Sequence, residues 1–256
     1  MKSFHRIILA ALLTGSAMAA DTASQIAAKL SELQNDGSSY VRLKLEVQAA
    51  GGAKSSMQLQ IKQRRSAGST ELLYQVLWPK EAAGEGVLLR RSGAQASGTV
   101  FTLPDKSRNL GASQMKEPLF GSALTYGDVL ENFFAWKNQQ LAGKESVDRI
   151  ECEILESRPG AGDFSTAPVV KSWIDTRRMV PLRVEKYDSA GKAVCRIDTL
   201  QVVRDDKGRN IPAHLSITNL KTGIGTQLDG SKLKHGVTYA DQDFTAAGLR
   251  TMSVPK

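Results

Sequence analysis

The sequence predicts a mainly β protein, in which about eleven antiparallel strands form one large curled sheet or barrel with helices on its concave side. Three observations predict this class. Apolar and polar residues alternate over long runs, short turn motifs separate these runs, and only two segments have the apolar spacing of a helix. A flat open sheet of this size would tend to curl or split, so a closed or half-closed form is expected.

The first element after the N-terminal region is a short amphipathic helix over residues 22–33. Ile26, Leu30 and Leu33 share one face of it. The turn residues 35–37 (Asn-Asp-Gly) end this helix, and the strand alternation begins directly afterwards. The helix is therefore expected to pack against the sheet.

The strands are predicted from period-2 alternation, which gives a sheet one apolar and one polar face. In the first strand, Val41, Leu43 and Leu45 alternate with charged and amide side chains. Pro79 ends the third strand, and Asp206-Lys207-Gly208 marks one of the later turns. The predicted strands cover residues 40–49, 57–61, 72–78, 87–91, 99–103, 108–110, 149–157, 169–175, 182–187, 194–203, 213–219 and 226–233.

Residues 120–136 (FGSALTYGDVLENFFAW) have the strongest apolar helical pattern, with Thr125 as N-cap and Asp128 three residues later. Their apolar residues share one helix face at i, i+3, i+4, i+7 and i+8, namely Tyr126, Val129, Leu130, Phe133 and Phe134. A helix of this kind in a β protein must cover apolar surface. It either plugs the barrel permanently or forms a lid over a ligand cavity, and in the second case Gly121 and Gly127 are the candidate hinges.

Residues 1–20 have the pattern of a secretory signal peptide. Lys2, His5 and Arg6 precede an apolar run over residues 7–13, and cleavage is expected near Ala19 or Ala20. The apolar run is far shorter than the roughly 20 residues that span a bilayer. We therefore expect an exported, soluble, periplasmic protein whose mature chain, residues 21–256, forms a single domain.

The composition is basic, with 34 Lys+Arg against 26 Asp+Glu and a formal charge of +8. Removing Lys2 and Arg6 with the signal peptide lowers this charge to +6. Export argues against nucleic acid as a partner. Anionic lipid head groups or an acidic protein surface are better candidates, and a generally solvated basic surface is the alternative.

The chain has two cysteines, Cys152 and Cys195, which could form a disulfide in an oxidising compartment. Two other predicted strands separate the strands that carry them, a distance too large for a disulfide in a simple meander. The alternative is a pair of buried free thiols.

No catalytic pattern is present in the sequence. The two histidines after the signal peptide, His214 and His235, have no zinc-ligand spacing, and neither a nucleophile elbow nor a phosphate-binding loop occurs. Carboxylates such as Glu151 and Glu153 fall on predicted solvent faces. The sequence therefore predicts a protein that is not an enzyme and has neither a cofactor nor a metal site.

The segment Phe120-Gly121-Ser122-Ala123-Leu124-Thr125-Tyr126-Gly127-Asp128-Val129 resembles the F-x-G-S-D-F-S-Y-E-D-L segment of the outer-membrane lipoprotein-sorting protein family, a LolA-like group. Shorter matches follow in the family's order at residues 79–89, 100–104, 173–175, 184–192 and 243–245. The resemblance extends over residues 41–249. Ala123 and Gly127 stand where the family tends to have acidic residues, so a partner that those acids contact would differ here.

This resemblance implies a half-open antiparallel barrel of the LolA/LolB type with helices closing one mouth. It also implies binding of lipid or acylated lipoprotein between the inner and outer membranes, with peripheral membrane contact only. An RND-type exporter is an implied partner. The alternative is an accessory protein that docks on such an exporter, or on an envelope-assembly complex, and carries nothing.

The candidate ligand site combines the inward strand residues with the apolar residues of the 120–136 segment. The strand residues are Val41, Leu43, Leu45, Leu59, Ile61, Tyr74, Val76, Leu89, Ile174 and Val184. The segment contributes Tyr126, Val129, Leu130, Phe133, Phe134 and Trp136.

Overall fold

The computed structural model describes residues 14–250, with side-chain surroundings given from residue 22 onward. Over residues 14–250, thirteen strands form a single antiparallel sheet. Their bounds are Gly37–Gln48 (β1), Lys54–Arg65 (β2), Ser69–Trp78 (β3), Gly86–Ser92 (β4), Gln95–Thr102 (β5), Lys106–Leu110 (β6), Asn138–Val147 (β7), Ile150–Arg158 (β8), Val169–Asp175 (β9), Val180–Tyr187 (β10), Ala193–Arg204 (β11), Asn210–Asn219 (β12) and Gly225–His235 (β13). The predicted mainly β class is confirmed.

The strand order is β6-β5-β4-β3-β2-β1-β13-β12-β11-β10-β9-β8-β7. The strands β1 and β13 pair in the middle of the sheet, from Ser39 with His235 to Gln48 with Gly225. The edge strands β6 and β7 do not pair with each other, so the barrel stays half open, as predicted. Residues 111–137, the crossing segment, connect these two edges.

One face of the sheet, the inner face, carries the residues that the alternation predicted to point inward. Leu45, Leu59 and Leu89 are buried there together with apolar residues of the crossing segment. Register pairs such as Leu43 with Leu59 keep these side chains on the same face across neighbouring strands. The hydrophobic core of the protein therefore lies between the sheet and the crossing segment.

The helix α1, Thr14–Gln34, covers the inner face at β7 to β9. Ala23, Ile26 and Leu30 pack with Leu155 of β8 and Ile174 of β9. The helix begins at Thr14, eight residues before the predicted start at Thr22, and it ends one residue later than predicted. The signal-peptide prediction falls largely on residues 1–13, which lie outside the described residues. Among residues 14–250, no helix is both long and apolar enough to cross a membrane.

The outer face of β2 to β5 is covered by the C-terminal part of the described chain, which contains a 3-10 helix at Asp241–Phe244 and α2, Ala246–Arg250. Phe244 and Leu249 pack with Leu73, Leu88 and Phe101 of the sheet. The Lys62 ammonium, 2% exposed, lies 3.1 Å from the Asp243 carboxylate. The C-terminal segment is therefore held on the sheet by an ion pair as well as by apolar packing.

We expect Asp243→Ala to lower the free energy of unfolding by about 1.5–3 kcal/mol, because it leaves the buried Lys62 ammonium without its carboxylate partner. Asp241→Ala is the matched control. Asp241 pairs with Arg64 but is fully exposed, so its removal should change stability little. Urea unfolding followed by tryptophan fluorescence measures both values. Equal losses in the two variants would contradict a specific role for the Lys62 contact.

The sheet corrects one prediction and confirms another. The sequence pattern missed β7 altogether, because β7 is an edge strand with mostly exposed polar residues on both faces. Cys152 on β8 and Cys195 on β11 are buried free thiols, so the predicted alternative without a disulfide is confirmed. As expected, two strands (β9 and β10) separate them.

Candidate functional site

The crossing segment, residues 111–137, is not the helix that its apolar spacing predicted. It contains only three-residue 3-10 helices, at Gln114–Lys116, Leu119–Gly121 and Phe133–Ala135. Phe120 has a left-handed backbone, with φ of 50°. The N–H of Tyr126 donates to the carbonyl of Glu117, and that of Gly127 donates to Met115, so these groups bond across a folded loop. The helix prediction for residues 120–136 is therefore wrong.

Its apolar residues are buried by tertiary packing instead. Tyr126 and Leu130 join Met115 and Leu119 against the β1 to β4 side of the inner face, while Phe134 packs against α1. The predicted cap residues do bond to each other, since the N–H of Thr125 donates to the Asp128 carboxylate at 2.7 Å. Here this pair closes a turn. The spacing of the apolar residues correctly predicted that these residues are buried, but it did not predict their backbone conformation.

The structure divides the predicted site residues into a packed group and a cavity-lining group. The packed group fills the space beneath the crossing segment and comprises Leu45, Leu59, Ile61, Tyr74, Val76, Leu89, Tyr126 and Leu130. Ile174 and Trp136 are also packed, in two neighbouring clusters. The remaining predicted residues line a cavity, namely Val41, Leu43, Val129, Phe133, Phe134 and Val184.

This cavity lies on the inner face between β1, β2, β10 to β13 and the crossing segment, and its volume is about 640 Å³. The sequence analysis did not place Ile197, Leu215 and Leu228 in the site, although these residues line it too. Their inward register on β11, β12 and β13 was the available signal. The crossing segment thus plugs one half of the barrel and leaves a cavity in the other half.

The two glycines predicted as hinges differ in their surroundings. Gly121 has a left-handed backbone, with φ of +70°, and a Cβ there would meet nothing within 4 Å. At Gly127 a Cβ would lie 2.7 Å from Cγ2 of Thr166 and 3.2 Å from the Met115 carbonyl oxygen. Close packing therefore requires glycine at 127. Hinge motion at either position stays a prediction.

A buried ionic cluster holds the crossing segment against β10. The ammonium of Lys186 lies 2.6 Å from the Asp128 carboxylate and also contacts Glu131, whose side chain is fully buried. Thr166, in the loop between β8 and β9, bonds to both carboxylates. Burial acts to raise the pKa of Asp128, but the Lys186 charge and the Thr125 hydrogen bonds outweigh it, so this pKa is lowered.

The sequence analysis missed this cluster. Lys186 occupies the same face of β10 as Val184, which was predicted to point inward, so a lysine in the inward register was the available signal. Its partners could not be found in this way, because both carboxylates belong to the irregular crossing segment.

A second ionic group, the ionic rim, lies at one end of the cavity and consists of Asp36, Arg204, Asp205, Asp206, Arg209 and His235. The Nε2 atom of His235 lies 3.0 Å from Asp36, and its Nδ1 atom contacts Asp206. Arg209 bridges Asp36 and Asp205 at 2.6 and 2.7 Å. The His235 side chain is therefore almost enclosed.

The rim contains the one group of potential metal ligands found among the described residues, since donor atoms of Asp205, Asp206 and His235 lie within 4.8 Å of one another. These atoms already have internal partners. Both Asp205 oxygens accept hydrogen bonds from Arg209, and Asp206 accepts bonds from the ring and main chain of His235. Asp205, Asp206 and His235 thus form part of an ion-pair network.

The two thiols offer no activated nucleophile. Burial raises the pKa of Cys195 to about 12, and burial also raises the pKa of Cys152. Both side chains are therefore protonated at neutral pH, the unreactive form of cysteine.

A family model described as "-like: Uncharacterized protein" matches residues 68–251. No curated protein matches the chain. Solved structures match it over most of its length. A DUF1329 family protein from Desulfovibrio piger is 18% identical, with a TM-score of 0.81 over 90% of this chain and 99% of that one.

Two further structures share the fold. An outer membrane lipoprotein-sorting protein domain from Vibrio parahaemolyticus is 18% identical, with a TM-score of 0.78 over 91% of this chain and 100% of that one. A LolA superfamily protein from Nitrosomonas europaea is 21% identical, with a TM-score of 0.68 over 87% of this chain and 97% of that one. These similarities confirm the LolA-like fold that the sequence resemblance implied.

Proposed function

The chain belongs to the family whose model matches residues 68–251, and from its LolA-like fold and its cavity we propose that it binds the acyl chains of lipids or lipoproteins. The cavity carries this proposal. Its volume of about 640 Å³ lies within the range of about 300–1,000 Å³ that is usual for small-ligand sites. Leu43, Phe133 and Leu215 are among the apolar side chains that line it.

An acyl chain gains about 0.8 kcal/mol for each methylene it buries, so a chain of ordinary length gains on the order of 10 kcal/mol before any cost of opening. A carrier must also release its cargo. Movement of the crossing segment, which contributes Val129, Phe133 and Phe134 to the cavity wall, would open the site and offset part of this gain. The proposed role is thus reversible binding, in support of transport between the inner and outer membranes.

The proposed location is the periplasm, after removal of a signal peptide near Ala19 or Ala20. The signal-peptide pattern of the sequence supports this location, and so does the shared fold with an outer membrane lipoprotein-sorting protein domain. We propose no enzymatic activity, because the ionizable side chains that line the cavity belong largely to ion-pair networks. An RND-type exporter stays a candidate partner that the resemblance alone suggests.

Native mass spectrometry of the protein purified from the periplasm, followed by lipid extraction, tests the proposal directly. A co-purifying phospholipid, fatty acid or acylated peptide is the expected result. A protein that is empty and also fails to take up a fluorescent fatty acid would contradict the proposal. That outcome would favour the alternative, an accessory protein that docks on an exporter and carries nothing.

We expect Phe133→Ala to weaken the binding of a fluorescent fatty acid about fivefold, because the ring lines the cavity and its removal reduces apolar contact. Phe133 also packs against Phe134 at a tilted angle, with ring centroids 4.4 Å apart, so Phe134→Ala should show the same trend. Trp78→Ala is the control, since Trp78 is a half-exposed aromatic outside the cavity. Unchanged affinity in both folded phenylalanine variants would rule out a role for these rings in binding.

A further inference from the structure

The outer face of the sheet carries a second depression, which we call the outer-face pocket. It spans β2, β1, β13 and β12, and its volume is about 430 Å³. Along β1 and β12, Val47 and Ile217 are buried on the inner face, so their neighbours in these strands point outward into the pocket. The pocket therefore lies on the opposite side of the sheet from the cavity described above.

The register of the sheet aligns the outward residues of the pocket in two rows across the four strands. The first row consists of Ser56, Glu46, Gln227 and Ser216. The second row consists of Lys54, Gln48, Gly225 and Thr218. Neighbouring strands lie about 4.8 Å apart, and residues on one face lie about 6.8 Å apart along a strand, so the rows form a platform of about 14 by 7 Å. Because Gly225 has no side chain, the second row is open at this position.

Most polar side chains of this platform have no partner within the protein. Over residues 22–250, six of them form neither a hydrogen bond nor an ion pair, namely Gln48, Lys54, Ser56, Ser216, Thr218 and Gln227. Elsewhere on the outer face, polar side chains bond to each other. Tyr40 donates to Gln60 at 2.9 Å, and Arg183 donates to Asp198 at 2.7 Å. The outer-face pocket thus keeps free the hydrogen-bonding groups that the neighbouring surface uses internally.

The chemical character of these groups indicates the class of ligand. The amides of Gln48 and Gln227 each offer donors and an acceptor, and the serine and threonine hydroxyls can both donate and accept. Charge is nearly balanced, because Lys54 is the one cation of the two rows and Glu46 already pairs with Lys44 at 2.9 Å. Such a set matches a ligand that presents many hydroxyl groups and no net charge.

We infer that the outer-face pocket binds a neutral glycan, whose sugar hydroxyls bond to Gln48, Gln227 and the hydroxyl side chains of the two rows. The platform is longer than it is wide, so it suits a short oligosaccharide lying across the strands. An apolar ligand would leave the polar groups unsatisfied, and a polyanion would meet a single lysine. This binding is separate from the proposed function, because its ligand lies on the other face of the sheet.

Isothermal titration calorimetry and saturation-transfer difference NMR test the inference with three uncharged probes, namely maltotriose, cellotriose and chitotriose. We expect saturable binding of at least one of them. Added salt should leave this binding nearly unchanged, because the ligand carries no charge. The double variant Gln48→Ala and Gln227→Ala should weaken it about tenfold through the loss of two hydrogen-bonding side chains. The binding of laurate should be the same in both proteins.

Gly225→Val tests the position of the ligand by filling the open part of the second row. A Cβ at Gly225 would meet Cβ of Gln48 at 3.9 Å, an ordinary contact, and the backbone of Gly225 is not left-handed. Valine also suits a strand, so this variant should fold and should lose detectable saccharide binding. The matched control is Gly68→Val in the hairpin between β2 and β3, where a Cβ would meet nothing within 4 Å. The control should bind the saccharide as the original protein does.

Three outcomes would overturn the inference. The first is that none of the trisaccharides binds the original protein. The second is that a trisaccharide binds the double variant and the folded Gly225→Val variant as tightly as the original protein, since it would then bind elsewhere. The third is a parallel loss of laurate binding, which would show that the variants act through the fold. If Gly225→Val does not fold, the double variant decides alone, because Gln48 and Gln227 are both exposed.

Discussion

Replacing Lys186 by methionine is expected to lower the free energy of unfolding by about 3–5 kcal/mol, because the change leaves two buried carboxylates without their shared cation. Asp128 and Glu131 are 10% and 0% exposed, and the Lys186 ammonium contacts both. Methionine keeps an unbranched side chain that is one heavy atom shorter, so the loss reports mainly the charge and its hydrogen bonds. Urea unfolding measures the change, and Lys192→Met is the exposed control.

The loss should depend on pH. Because the pKa of Asp128 is lowered in the native protein, this group adds stability above its ordinary pKa, and that stability is lost as the pH falls through the lowered value. Without Lys186, burial is no longer outweighed by a nearby positive charge at Asp128, so this carboxylate protonates more readily and acid destabilises the variant less. We therefore expect the gap between the two proteins to narrow from pH 7 to about pH 4.

A second variant separates this ionic effect from damage to packing. The triple change Lys186→Met, Asp128→Asn and Glu131→Gln removes every charge of the cluster and should recover part of the lost stability. No recovery, together with a pH-independent loss, would show that Lys186 contributes mainly by filling space. The same cluster holds the crossing segment to β10, so the single variant should also expose this segment to proteolysis.

Leu43→Trp is expected to weaken the binding of laurate about thirtyfold. Leu43 lines the cavity from β1, and an indole there removes room for two or three methylenes at about 0.8 kcal/mol each. Calorimetry measures the affinity, and the midpoint of thermal unfolding should stay close to that of the original protein. The matched control is Lys44→Trp, the next residue on the same strand, which is exposed on the outer face.

Leu215→Trp tests the same idea from the opposite wall, on β12. Both tryptophans should reduce binding if the acyl chain occupies this cavity. If both variants fold and bind laurate as well as the original protein, the ligand binds elsewhere and the cavity has been assigned the wrong role.

The strands could be predicted from the sequence wherever one face is buried and the other is wet, as in β1 with Val41, Leu43 and Leu45. The edge strand β7 could not, because an edge strand that exposes Gln140 and Lys144 has no alternation to detect. The LolA-like fold could be predicted from the resemblance of residues 120–129 to the family motif, although the helix predicted there does not form.

The candidate site was predictable only in part. Strand parity identified inward residues, but it could not tell packed residues such as Leu59 from cavity-lining ones such as Leu43. That distinction depends on where the irregular crossing segment fills space. The ionic rim could not be predicted from the sequence for a similar reason. Asp36, Arg209 and His235 come from turns and strand ends that only the three-dimensional fold brings together.

The pairing of β1 with β13 has a consequence for how the molecule acquires its structure. Each half of the sheet is a run of hairpins between neighbours in the chain, and such local contacts form quickly. The central pairing, by contrast, joins Ser39 to His235, so one very long loop must close before the two halves meet. The ligand cavity has walls from both halves, and it therefore comes into existence only at this late, slow step. A chain that is threaded through a membrane from its N-terminus would stay without a binding site until β13 has emerged.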